Sequence, residues 1–185
     1  MVAVQGDFAE HAAALEALGA HAVLVRSPGE LAGLDAIVLP GGESTTMSLL
    51  LASSGLFAAL QDRLGEGLPA LGTCAGLILM ARDVGDGRPD QHSFGCLDVG
   101  VLRNGYGRQR DSFETDLSIP AAGPEPFPGV FIRAPRITRT GADVVVLASV
   151  GPDPVLVRQG VVLAAAFHPE LAGDLRLHHL FLERV

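Results

Sequence analysis

The sequence predicts an α/β fold in which a central, mostly parallel sheet carries helices on both faces. In the first half, short apolar runs typical of buried strands alternate with stretches whose apolar residues recur at helical spacing. In the second half, Pro and Gly separate successive extended runs, which indicates a mixed or antiparallel extension of the sheet. The length of 185 residues suits a single domain, 1–185, with one substantial core.

The alternating elements can be placed from these patterns. Gly19 is expected to end the first helix, and Ser44 to cap the helix that follows the third strand. Residues 1–6 look like the second half of a strand, so we expect the first strand to be trimmed at its start. The predicted strands are Val2–Val4, Ala22–Val25, Ala36–Leu39 and Leu68–Leu71, and the predicted helices include Phe8–Leu18 and Leu56–Leu64.

The second half is predicted to be mostly extended. The expected strands are Cys96–Leu102, Ser112–Ile119, Val130–Ile132, Val144–Val150, Val155–Arg158 and Val161–Ala166. Pro120–Pro128 is expected to form a surface loop between two of them, because Pro and Gly recur within it. Leu171–Val185 is predicted to close the chain as an amphipathic helix.

Composition narrows the class of protein. Hydrophobic residues make up 48% of the chain, which excludes a disordered protein, and the net charge of −8 argues against nucleic acid as the main partner. The two cysteines are too few for a disulfide framework and lack metal-ligand spacing, so we expect no metal site there. We also expect no cofactor. We see no signal peptide, and the apolar stretch Leu68–Ala81 is too short to cross a bilayer. A cytoplasmic protein without a membrane partner is expected.

Cys74 lies at the centre of Gly72–Gly76, between two apolar runs that predict a strand and a helix. Flanking glycines allow a turn tight enough to present the thiol, and the start of the helix favours its thiolate. This pattern predicts a nucleophile. The alternative is a small buried apolar residue, as most free cysteines are; Cys96, in an apolar stretch, is interpreted that way.

His168 and Glu170 follow an apolar strand, where sites collect in α/β sheets. Pro169 favours an extended conformation at His168, so both side chains point the same way and can share a hydrogen bond. The other imidazole nitrogen is then free for Cys74, which predicts a nucleophile, a base and an orienting carboxylate. The alternative is a surface turn with a solvated ion pair.

Two further groups of residues are candidates for the site. Gly41 and Gly42 follow a strand, and the N–H groups of Gly42 and Ala75 could hold an oxyanion, although most glycine pairs are ordinary turns. Arginine side chains could clamp a substrate carboxylate, or could be solvated strand ends; these are Arg103, Arg108, Arg110 and Arg133. The remaining histidines are expected on the surface: His11, His21, His92, and His178–His179 on a solvated helix face.

Together these motifs resemble class I, triad-type glutamine amidotransferases, which carry a Gly-x-Cys-x-Gly turn and a distal His-x-Glu. The resemblance is closer to the glutaminase subunits of pyridoxal 5′-phosphate synthases, and it spans nearly the whole chain. Its most specific segments are Gly41–Thr46 and Phe131–Pro135, and Gln5-Gly6, Arg103-Asn104 and Gly107–Gln109 also match. Gly105-Tyr106 departs mildly, since the family more often has Ala followed by an aromatic residue.

This resemblance implies a three-layer, flavodoxin-like class I glutamine amidotransferase fold and hydrolysis of L-glutamine to glutamate and ammonia. Cys74, His168 and Glu170 would form the triad, and the implied glutamine contacts are Gly42, Glu43, Ser44, Arg103, Ile132 and Arg133. The implied partner is a (β/α)₈-barrel synthase subunit that receives the ammonia for vitamin B6 biosynthesis in a large hetero-oligomer.

Two alternatives remain open at this point. A glutaminase could feed another synthase, such as imidazole glycerol phosphate synthase, although Phe131–Pro135 argues against it. A regulatory protein of the same architecture could use Cys74 as a redox sensor, but such a protein needs no His-Pro-Glu after a late strand.

Overall fold

The computed structural model describes residues 1–105 and 112–185. The helices are α1 Phe8–Ala17, α2 Ser44–Ser53, α3 Leu56–Gly65, α4 Ala75–Met80 and α5 Arg176–Leu182. The strands are β1 Ile37–Leu39, β2 Ala70–Thr73, β3 Ala81–Val84, β4 Leu97–Leu102, β5 Phe113–Leu117, β6 Phe127–Phe131, β7 Arg136–Thr140, β8 Val145–Val150, β9 Asp153–Gln159 and β10 Val162–Ala165. Short 3₁₀ turns cover Pro28–Leu31, Pro120–Ala122 and Pro169–Leu171.

The main sheet has the strand order β1-β2-β10-β9-β8. Strands β1, β2 and β10 are parallel, whereas β9 and β8 continue the sheet in antiparallel pairing. Every residue of the three parallel strands is buried, as expected for a sheet covered on both faces by helices. The predicted α/β class with an antiparallel extension is therefore confirmed.

The two predicted strands at the start of the chain are correctly placed but too long. Val2 and Val25 form only an isolated parallel bridge. The N–H of Val2 donates to the carbonyl of Val38 at 2.9 Å, so this bridge extends the sheet beyond β1. One side-chain cap also differs from the prediction, because Glu43 rather than Ser44 caps α2, accepting from the N–H groups of Thr45 and Thr46.

The remaining strands form two smaller sheets, β3-β4-β7 and β5-β6. Strands β3 and β7 were not predicted. The loop prediction for Pro120–Pro128 is wrong at its end, since β6 begins at Phe127. The final helix is also shorter than predicted, because Pro169–Leu171 forms a 3₁₀ turn and α5 begins only at Arg176. No helix among the described residues is long and apolar enough to cross a membrane.

Candidate active site

The candidate site lies where the parallel strands β1, β2 and β10 end. Leu39 and Ala164 pair on either side of Gly72, so the segments that follow these three strands meet at one edge of the sheet. Gly41, Cys74 and His168 belong to these segments. The parallel pairing thus brings together residues that are far apart in the sequence.

Cys74 occupies a strained turn between β2 and α4. Its backbone has φ 47° and ψ −100°, a conformation that non-glycine residues rarely adopt. The N–H of Cys74 donates to the carbonyl of Ala165 at 2.9 Å, which ties the turn to the end of β10. The predicted sharp turn is confirmed, and its side chain lines a cavity although it is only 6% exposed.

The glycines on either side of Cys74 are required by close packing. A Cβ added at Gly76 would collide with the carbonyl oxygen of Leu39, and one at Gly72 would lie 2.7 Å from the sulfur of Met80. Because the Leu39 atom is backbone in a buried strand, it has little room to move. The glycines therefore let β1, β2 and α4 approach closely enough to form the turn.

His168 and Glu170 form a buried pair. His168 Nδ1 lies 2.6 Å from Glu170 Oε1, and the Glu170 side chain has no exposed surface. The N–H of His168 donates to the carbonyl of Val130 at 2.9 Å, so the segment after β10 is held against β6. The structure thus brings His168 and Glu170 together, and it places Cys74 and His168 on the wall of the same cavity.

The electrostatics of this pair favour charged side chains. Burial would lower the pKa of His168, but hydrogen bonds with Cys74 and Glu170 outweigh burial and raise it to about 10. Burial would raise the pKa of Glu170, but the close polar contact with His11 and the hydrogen bond with His168 outweigh burial and lower the pKa to about 2. An imidazolium next to an ionised carboxylate is the environment that stabilises a thiolate nucleophile.

These shifts predict how stability depends on pH. Because folding raises the pKa of His168 from 6.5 to about 10, its contribution is complete below pH 6.5 and is lost as pH rises through 10. We expect the free energy of unfolding of the wild type to fall across this window more steeply than that of His168→Gln. Urea unfolding at several pH values measures both slopes. Equal slopes in the two proteins would contradict the assignment.

The cavity beside Cys74 has a volume of about 470 Å³, enough for an amino acid. Six of the predicted site residues line it together with Cys74 and His168: Gly42, Glu43, Ser44, Arg103, Ile132 and Arg133. Ala75 begins α4 directly behind the thiol and is buried. Arg108 and Arg110, and the matching segment Gly107–Gln109, lie outside the described residues.

Two of these lining residues form an ion pair. Arg103 Nη2 lies 2.7 Å from Glu43 Oε1, and the N–H of Glu43 donates to the side-chain oxygen of Gln5 at 2.8 Å. Burial would raise the pKa of Glu43, but hydrogen bonds with Thr46 and Thr45 and the Arg103 charge lower it overall. The Nε of Arg103 is buried without a hydrogen-bond partner among the described residues, so it can donate to a bound ligand.

Several functional candidates were missed or misplaced by sequence reasoning. His11 and His178 are fully buried, which corrects the prediction that both lie on the surface. His11 shares a face of α1 with the buried residues Ala14 and Leu15, so helical spacing was the available signal for its burial. The other predicted surface histidines, His21, His92 and His179, are exposed.

Asp7 was also missed. Its Oδ2 lies 3.6 Å from His168 Nδ1, and burial raises the pKa of this carboxyl group although the His168 charge opposes it. Asp7, His168 and Glu170 place their ligand atoms within 4.8 Å of one another, as a metal site would. Two of these groups, His168 and Glu170, form the imidazole–carboxylate hydrogen bond, so this cluster belongs to the candidate catalytic group.

Cys96 lies in a different environment from Cys74 and does not line the cavity. It is half-buried against the core, as predicted, and burial raises the pKa of its thiol to about 11. A thiol with so high a pKa is a poor nucleophile near neutral pH. Of the two cysteines, only Cys74 adjoins an imidazole in the cavity.

Comparison with known proteins extends the geometric evidence. The SNO glutamine amidotransferase family matches residues 1–185. A relative from Kineococcus radiotolerans, a pyridoxal 5′-phosphate synthase subunit PdxT, is 52% identical over 192 residues, covering 100% of this chain and 93% of the relative. A second PdxT relative, from Pelotomaculum thermopropionicum, is 53% identical over 186 residues, covering 100% of this chain and 93% of the relative.

Solved structures agree. A crystal structure of a glutamine amidotransferase has a TM-score of 0.92 and 50% identity, covering 99% of this chain and 96% of that one. A putative GMP synthase component from Thermoplasma acidophilum has a TM-score of 0.69 at 18% identity, covering 99% of this chain and 90% of that one. At that identity the second likeness shows the fold alone.

Proposed function

Because the chain belongs to the SNO glutamine amidotransferase family, we propose that it is the glutaminase subunit of a pyridoxal 5′-phosphate synthase. Its reaction is the hydrolysis of L-glutamine to L-glutamate and ammonia, with Cys74, His168 and Glu170 as the catalytic triad. The observation that supports this most directly is that a thiol on a strained turn and an imidazole paired with a buried carboxylate lie on the wall of one cavity.

The first half of the reaction forms a thioester. The Cys74 thiolate attacks the side-chain amide carbon of glutamine, and the carbonyl oxygen becomes an oxyanion held by the N–H groups of Gly42 and Ala75. Each such donor contributes about 3 kcal/mol in other enzymes. The imidazolium of His168 protonates the amide nitrogen, so that the carbon–nitrogen bond breaks and ammonia leaves.

The second half releases glutamate. His168, now neutral, takes a proton from a water molecule, which attacks the thioester carbon and forms glutamate. The carbon–sulfur bond breaks and restores the thiolate, while His168 keeps the proton. Glu170, whose Oε1 lies 2.6 Å from Nδ1, holds one tautomer of the imidazole and stabilises its charged form.

The residues around the cavity suit the free amino-acid end of glutamine. The Nε of Arg103, which has no hydrogen-bond partner within residues 1–105 and 112–185, and the guanidinium of Arg133 would bind the carboxylate, for which a planar guanidinium is well shaped. Glu43, ionised beside Arg103, would bind the ammonium group. Gly42, Ser44 and Ile132 complete the contacts proposed for glutamine.

A partner subunit is part of this proposal. Ammonia released into bulk water is protonated and no longer nucleophilic, so a (β/α)₈-barrel synthase subunit should dock over the site and receive it. We expect ammonia release from glutamine to rise at least about tenfold when the barrel subunit is added. The assay is glutamate formation by the chain alone and with its partner, together with co-purification. Equal turnover in both mixtures and no co-purification would refute the coupling.

A further inference from the structure

We propose that His11 is a positioning residue of the triad, which holds the second carboxylate oxygen of Glu170 while His178 fixes His11 from behind. This inference rests on the proposed function for its consequence in catalysis. The structural basis is a buried row of side chains that joins Glu170 to His11 and His178.

The row is made by elements from both ends of the chain. His11 Nε2, on α1, lies 3.1 Å from Glu170 Oε2 and 3.0 Å from the hydroxyl oxygen of Thr73, the residue before Cys74. His11 Nδ1 lies 2.9 Å from His178 Nε2, on α5. The side chains of His11 and Glu170 have no exposed surface, and His178 is fully buried.

The hydrogen-bonding capacity of these groups limits where the protons can lie. An ionised carboxylate only accepts hydrogen bonds, so the nitrogen of His11 that faces Glu170 must carry a proton. The bond between His11 Nδ1 and His178 Nε2 takes its direction from the state of His11, because Nδ1 accepts in the neutral ring and donates in the imidazolium. Burial, and then the nearby charge of His11, lower the pKa of His178 to about 4, which keeps this second ring neutral.

The contact between His11 and Glu170 matters because it restrains the second carboxylate oxygen of Glu170. Its Oε1 is engaged by His168, but Oε2 is buried and has no hydrogen bond of full geometry from any described residue. Among the described residues, the basic side chain within ion-pair distance of that oxygen is His11. Without His11 the carboxylate could rotate about its terminal bond, and Oε1 would lose its alignment with the imidazole.

The ionisable groups around this row come from each packed segment. His168 and Glu170 follow β10, Asp7 precedes α1 and lies 3.6 Å from His168 Nδ1, and His178 projects from α5. Asp7 is partly exposed, so it is the group in this set that solvent screens most. The His11 variants therefore keep Asp7 and His178, so that a change in the pH dependence reports the loss of His11 alone.

The test compares His11→Leu with His11→Gln in complex with the barrel subunit. Leucine removes the N–H but keeps apolar bulk, and glutamine restores a donor near the position of Nε2. We expect His11→Leu to lower kcat by about tenfold to hundredfold, the effect of leaving a buried charge without one of its polar partners, with little change in KM for glutamine. We expect His11→Gln to recover most of that loss. His21→Leu, at an exposed histidine, is the matched control.

A second readout does not depend on turnover. The polar contact with His11 lowers the pKa of Glu170, so removing it raises that pKa and weakens the imidazolium that supports the Cys74 thiolate. We therefore expect the pH midpoint for alkylation of Cys74 by iodoacetamide to be higher in His11→Leu than in the wild type. Peptide mass spectrometry measures the alkylated fraction of Cys74 at each pH. His178→Gln, which should shift it in the same direction by less, serves if His11→Leu does not fold.

An unchanged alkylation midpoint in the folded variants overturns the proposal. Loss of turnover without a midpoint shift, and without recovery in His11→Gln, also overturns it, because a purely structural role would give that result. A wild-type chain that alkylates as expected but releases no ammonia with its partner would refute the proposed function and leave this inference standing.

Discussion

Replacing Cys74 with alanine is expected to lower glutamine hydrolysis by about four orders of magnitude or more. The thiolate is the atom that forms the thioester, and loss of a nucleophile removes nearly all the benefit of its triad partners. The fold should survive, because alanine removes only one buried sulfur atom and leaves the turn unchanged. Ammonia release in the presence of the barrel subunit measures the effect.

Cys96→Ala is the matched control, since it removes the other thiol from a half-buried position outside the cavity. We expect that variant to keep wild-type turnover. Substantial glutamine hydrolysis by Cys74→Ala would refute the assignment of the nucleophile.

Replacing Gly76 with alanine is expected to destabilise the folded chain by about 3 kcal/mol, the upper part of the range for overpacked cores. The added Cβ would collide with the carbonyl oxygen of Leu39, in a fully buried strand of the parallel sheet. Relief requires β1 or α4 to move, and either movement displaces the turn that carries Cys74. Urea unfolding measures the loss.

Gly65→Ala is a suitable control, because Gly65 ends α3 and an added Cβ there meets no atom within 4 Å. We expect that change to be neutral or slightly stabilising, as alanine is the better helix former. A Gly76→Ala variant as stable as Gly65→Ala would mean that α4 and β1 do not pack as described.

The parallel strands and the residues that follow them could be predicted because their signals are local. The apolar runs before Pro40, Gly72 and His168 are typical of buried strands. In an α/β fold such strands are parallel, so their carboxyl ends lie at the same edge of the sheet. β7 could not be found in this way, since only Ile137 of its five residues is buried. A strand with one buried side chain has almost no alternation to detect.

The buried histidines show a different limit. A histidine on a helix face that is mostly apolar can be solvated or buried, and the sequence does not show whether the protein interior holds a charged partner for it. His11 is buried because Glu170 and His178, both more than 150 residues away in the chain, supply its partners. Nor does spacing reveal that Glu43 caps α2 and pairs with Arg103, because these contacts depend on how the loops close.

The proposed function requires that Cys74 is a nucleophile and that His168 activates it toward a glutamine-like ligand. The most direct measurement is covalent labelling with the glutamine analogue acivicin, followed by peptide mass spectrometry of the wild type and of His168→Gln. We predict labelling at Cys74 and not at Cys96, protection by glutamine, and much slower labelling in His168→Gln. Equal labelling of both cysteines, or labelling of Cys74 that is unaffected by glutamine and by the loss of His168, would contradict the account.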